Sequence, residues 1–202
     1  MDRFESSLCG YLRSLIKATG SGRRRGYANW WEGIDSSDRR IKEQSIAEDF
    51  IEALTKKGDL RFSDARPSPK DPPDCTSRYG VSGKAGLEMT ELVCEQAIRA
   101  TALGQKAYRI WSREEAIEQL NRRLADKDSK VYHGGPYGRL GVVVHTAESD
   151  LVPERTIEWL DHHEFGPFSQ IDEAYILFSY QALMGYPVAQ LRIKPRSMTA
   201  AS

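Results

Sequence analysis

Leu140-Gly141-Val142-Val143-Val144-His145 is an almost unbroken apolar run rich in β-branched residues. A strand of this kind has no polar face to turn toward water, so it predicts a place inside a sheet with both faces covered. Helices must supply the cover, and the chain offers them. Ile41, Ala47, Phe50, Ile51 and Leu54 follow helical spacing up to Gly58. Ser112-Arg113-Glu114-Glu115 has the form of a capping box and opens a helix over 113–126 through Ala116, Ile117, Leu120 and Leu124. An earlier stripe, Phe4, Leu8, Tyr11, Leu12, Leu15 and Ile16, predicts a first helix ending at Gly20-Ser21-Gly22.

Between Ser63 and Pro73 the chain carries Pro67, Pro69, Pro72 and Pro73, none of which donates to a ladder, so an extended loop is expected there. Strands are expected at Cys75 to Tyr79 and Gly86 to Val93, joined through Gly80 and Gly83. Ile157, Trp159 and Leu160 predict a short helix, and Ala174 to Tyr180 with Val188 to Ile193 a last pair of strands. The fold class expected is α/β, a mixed sheet flanked by helices, with an N-terminal helical extension and a C-terminal β-hairpin at the sheet edge. A chain of 202 residues suits one domain. Its parts are a basic helical extension over 1–40, a core over 41–146, and a helix plus hairpin over 147–202.

Lys plus Arg and Asp plus Glu each number 29, so the formal net charge is zero and contact with nucleic acid has to come from a local patch. Cys9, Cys75 and Cys94 have no zinc-ligand spacing, which fits a reducing interior. No run reaches the apolar length of a membrane span, and Asp2, Arg3, Glu5, Arg13 and Lys17 interrupt the first twenty residues. A cytoplasmic protein without membrane contact is expected.

Chemistry concentrates in DPPDCTSRYGVSGKAGLEMTEL, residues 71–92. Side chains alternate along a strand, so Leu87 and Met89 share the core face while Glu88 and Thr90 share the other. If Asp74 opens the preceding antiparallel strand, its carboxylate converges with that of Glu88. Two such carboxylates repel unless a proton or cation intervenes. Few, hard oxygen ligands completed by water suit Mg²⁺ or Mn²⁺, and such an ion supports phosphodiester hydrolysis.

Pro73-Asp74, followed after thirteen intervening residues by Glu88-Met89-Thr90, resembles the PD-(D/E)xK nuclease superfamily. The order of elements over 41–145 resembles its α-β-β-β-α-β restriction-endonuclease-like core. GLEMTEL, YRIWSREE and GPYGRLGVVVHT resemble a bacterial branch of that superfamily with no assigned substrate. The resemblance implies a metal-dependent nuclease with Asp74 and Glu88 as metal ligands and a helix glutamate assisting. Glu43 is in phase with Ala47, Phe50 and Leu54 and takes that role, with Glu48 the alternative off the stripe. Thr90 stands where the superfamily has a lysine. A hydroxyl orients water but adds no charge, so the alternative is a catalytically inactive module that binds nucleic acid or protein. Lys84, in the turn, is a candidate substitute.

Each residue also has a plainer role. Asp74 can cap a turn, Glu88 can face solvent, and Thr90 can cap a helix starting at Glu91, leaving Glu91 to interact with the helix dipole. RRRGYANWW, residues 23–31, can hold phosphates on Arg23, Arg24 and Arg25 and stack bases on its tryptophans, or it can be a solvated loop beside a core Trp pair. His145 reads as a core imidazole, Cys94 as a buried thiol and HGGPYG as a loop without the P-loop ending.

Overall fold

The computed structural model describes residues 36–103, 105 and 110–195. Its order is α1 (Ser36–Lys56), β1 (Phe62–Pro67), β2 (Cys75–Tyr79), β3 (Gly83–Glu91), α2 (Glu95–Ala102), α3 (Arg113–Asp128), β4 (Arg139–Thr146), α4 (Pro153–Leu160), β5 (Glu164–Phe165), β6 (Glu173–Phe178) and β7 (Val188–Ile193). The seven strands form one mixed sheet in the order β1-β2-β3-β4-β6-β7-β5. β1, β2 and β3 pair antiparallel, β3-β4 and β4-β6 parallel, and β6-β7 antiparallel. The expected α/β class with helices flanking a mixed sheet is what the chain adopts. Among the described residues no helix is long and apolar enough to cross a membrane. The first helix expected before Gly20 and the RRRGYANWW segment lie outside the described residues.

β4 occupies the centre, and its run divides by parity. Val143 packs with Phe50, Leu87, Met89 and Tyr175 beneath α1, whereas Val142 and Val144 pack with Leu120, Leu124 and Ile176 beneath α3. Each fully buried apolar side chain of this size contributes roughly 1.5–3 kcal/mol, so two such layers hold the sheet rigid from both sides. Gly58, at φ +79°, ends α1: Asp59 N–H reaches Leu54 O at 3.0 Å and Gly58 N–H reaches Thr55 O at 2.9 Å. Ser112 and Glu115 cap α3 reciprocally, as their spacing predicts.

Three expectations are corrected. The proline-rich stretch begins as an edge strand, β1, which tolerates Pro67 at its end because no further strand pairs on that side. β3 starts at Gly83 and stops at Glu91, and the next helix starts only at Glu95. Thr90 is therefore a strand residue and not a helix cap, and Glu91 is a buried strand end with no dipole role. β7 is not the sheet edge either, because the two-residue β5 lies outside it.

Candidate metal centre

Asp74 immediately precedes β2, and Glu88 lies on β3 directly after the residue that pairs with Cys75, namely Leu87. This register brings the two carboxylates to one end of the hairpin. They are 5% and 0% exposed. With the exposed Asp71 they form a group in which one oxygen of each residue lies within 4.8 Å of the others. It is the only such group among the described residues. Close packing of the proline loop makes this possible. A Cβ on Gly86 would sit 3.1 Å from Pro73 Cγ and 3.3 Å from Pro73 Cβ, so the bare glycine lets the loop close over β3.

Asp74 Oδ2 accepts from the Met89 N–H at 2.7 Å, while Oδ1 is buried without a hydrogen-bond partner. Glu88 shows the same asymmetry. Its Oε2 accepts from Lys127 at 2.5 Å and from Lys130 at 2.9 Å, and its Oε1 is buried without a partner. Lys127 also lies 3.7 Å from Asp74 Oδ2. An unpartnered buried carboxylate oxygen costs free energy unless something positive faces it, so one on each of two neighbouring carboxylates fits a hard cation.

Burial pushes the Asp74 carboxyl up to about 6, with the charges of Glu88 and Glu43 adding to the shift and Lys127 and the Met89 N–H opposing it. Burial alone would lower Lys130, but its hydrogen bond to Glu88 and the neighbouring carboxylates hold its ammonium above the ordinary lysine value. Cys75, next to Asp74, is pushed up to about 12 by burial and the surrounding acids, which makes it an inert thiol.

Helix α3 delivers Lys127, and the turn just after it delivers Lys130. The C-terminal end of α3 is tied down by Asp128, whose carboxylate accepts from Ser169 N and Oγ, Gln170 N and Ile171 N at 2.7–3.1 Å. The Gln170 side chain donates to the carbonyls of Asp128 and Lys130. Tyr132 Oη closes the same end by donating to Lys127 O at 2.7 Å.

Other expected residues sit apart. Glu43 is buried and near enough to raise Asp74, but its oxygen is bound by Arg39 at 2.7 Å and it is outside the carboxylate group, where Asp71 stands instead. Glu48 is exposed and accepts from Gln44. Thr90 is half-buried beside Lys127 on the wall of a neighbouring cleft. Lys84 does not substitute for the missing lysine: it donates to Gly134 O at 2.8 Å and lies over the Tyr137 ring. Arg23, Arg24 and Arg25 are outside the described residues. Sequence reasoning missed Asp71, Lys127 and Lys130. Ala116, Leu120, Leu124 and Lys127 are all buried at i, i+4, i+8 and i+11, so a lysine closing the buried stripe of α3 was the available signal.

Comparison of the chain with family models, curated proteins and solved structures finds no match.

Proposed function

We propose that this protein is a metal-dependent phosphodiesterase acting on nucleic acid, in the manner its resemblance to PD-(D/E)xK nucleases implies, and working in the cytoplasm. The observation that carries the reading is the pair of buried carboxylates, Asp74 and Glu88, which belong to one close acidic group and each keep one oxygen without a donor. Asp74 and Glu88 hold Mg²⁺ or Mn²⁺, and Asp71 approaches from the rim. The ion, when bound, polarises a phosphoryl oxygen and lowers the pKa of an attacking water.

The chain's own residues prepare that site. The Met89 N–H fixes Asp74 through Oδ2 and so leaves Oδ1 for the ion. Lys127 and Lys130 fix Glu88 through Oε2 and leave Oε1 in the same way. Lys127 lines the adjoining cleft, where its ammonium offsets charge building on the phosphoryl group, the part Thr90 has no charge to play. Thr90 orients water with its hydroxyl. Arg23, Arg24 and Arg25 hold flanking phosphates, a role that rests on their sequence alone.

A second reading is favoured by the lysines themselves. Two ammonium groups on Glu88 compensate a buried anion without any metal, which is what a structural brace does. In that case the chain is a catalytically inactive module that binds nucleic acid or protein. Calorimetric titration with Mn²⁺, followed by incubation with labelled single- and double-stranded DNA and RNA, separates the two. Metal binding and cleavage that both vanish in Glu88→Gln, with the fold retained, are expected of the first reading. An intact substrate and no heat of binding sink it.

A further inference from the structure

A cleft of about 520 Å³ opens between α1, α2 and α3 at the end of β3. Its wall includes Lys127 and Thr90, so it adjoins the carboxylates, and its volume falls within the range of sites that take small ligands. Arg39 enters it from α1, Arg99 from α2 and Arg123 from α3. Glu43 holds Arg39 through Nε at 2.7 Å, and Glu95 holds Arg123 through one terminal nitrogen at 3.1 Å while lying 3.9 Å from Arg99. Glu95 takes one donor of the five-donor Arg123 guanidinium and stands beyond hydrogen-bond distance of Arg99, so these two arginines are oriented by charge and keep donors to spare. Arg123 Nε is a buried donor without a hydrogen-bond partner.

The apolar part of the wall is Met89, Val93 and Ile98, and among the described residues no aromatic ring or amide side chain lines the cleft. A ligand is therefore gripped there by charge and shape and not by base stacking or amide readout, which selects phosphate and sugar over base identity. Accessibility decides the strandedness. Glu88 is fully buried and Asp74 nearly so, so a phosphodiester has to enter the surface to meet them. A duplex is stiff over far more than the width of this cleft, whereas a single strand bends at every nucleotide.

We infer that this cleft binds a short single-stranded stretch of nucleic acid by its sugar-phosphate backbone, beside the phosphodiester presented to Asp74 and Glu88. The inference rests on the phosphodiesterase reading for the direction of the strand, but the cleft is tested without metal. Fluorescence anisotropy of a labelled oligothymidine, free or annealed to its complement, is measured with the full chain in chelator across a salt series. Single strand is expected to bind about tenfold or more tighter than duplex. Arg99→Gln, at an exposed position, is expected to weaken single-strand binding and to lower the salt slope by about 0.7. Arg66→Gln, at an exposed arginine paired with Asp64, is expected to leave both unchanged. Equal affinity for the two forms, retention of neither, or an Arg99→Gln variant that binds as wild type overturns the inference. Mn²⁺ calorimetry on the same preparation reports on the metal centre separately, so either idea can fail while the other stands.

Discussion

Lys127 reaches from the last turn of α3 across to strand β3 and donates to Glu88 at 2.5 Å, bridging 39 positions of sequence. The contact joins the two helical and strand components of the centre through one ammonium. It also means that an ammonium already stands beside both carboxylates, on the oxygens opposite those that have no donor.

Lys127→Met leaves Glu88 with Lys130 alone. Removing one partner of a buried pair costs about 3–5 kcal/mol, and the remaining lysine reduces this to about 1–3 kcal/mol. Mn²⁺ should restore more stability to the variant than it adds to the wild type, because the ion replaces the lost charge. Melting curves with and without Mn²⁺ check this, and equal shifts in both proteins would count against it.

Asp74→Asn should stabilise the apo protein at pH 7. The folded carboxyl titrates at about 6, above its unfolded value near 3.9. The native state therefore holds the proton more tightly, and stability is lost as pH rises through that window. Asparagine keeps an acceptor for Met89 and removes the charge. We expect a gain on the order of 1 kcal/mol, read as a melting temperature higher by about 2–4 °C, together with loss of Mn²⁺ stabilisation. A variant less stable than wild type would contradict the assignment.

His145 produces the opposite pH dependence. Burial lowers its imidazole to about 4, below the unfolded value of about 6.5. The unfolded chain then binds the extra proton, so stability is lost as pH falls from 6.5 toward 4. Between pH 7 and pH 5 the wild type should lose about 2 kcal/mol more than His145→Gln in urea titrations. Parallel losses would show that His145 is not the group responsible.

Asp128→Ala removes four hydrogen bonds that tie α3 to residues 169–171. A cost of about 1–2 kcal/mol in chemical denaturation is expected, since donors that are partly buried or exposed lose an ionised acceptor that water replaces only in part. Asp128→Asn should recover part of it. An alanine variant as stable as wild type would show that the clamp does not hold the lysines in place.

The elements legible from sequence were those whose cues are local. Ser112 and Glu115 are three residues apart, and the structure gives the expected start of α3 at Arg113. The valines of β4 announce their burial by type, and the alternation of Leu87 with Glu88 assigns their faces. What escaped depends on partners far along the chain. β1 is a strand only because β2 lies beside it, despite Pro67. Glu43 follows the stripe of α1 as expected, yet Arg39, one turn earlier, takes its oxygen. The missing positive charge was sought near Glu88 in the chain, at Thr90 or Lys84, whereas the last turn of α3 supplies it from Lys127 and the residues just after the helix from Lys130.

The acids and their counter-ions also reach the folding chain at different times. Synthesis at about 5–20 residues per second delivers Glu88 roughly 2–8 seconds before Lys127. During that interval the β2–β3 hairpin can pair, but its carboxylates stay in water, because the two lysines that pair with Glu88 have not yet emerged to accompany them inward. The nascent centre is thus an open, hydrated acidic pair that seals only when α3 docks.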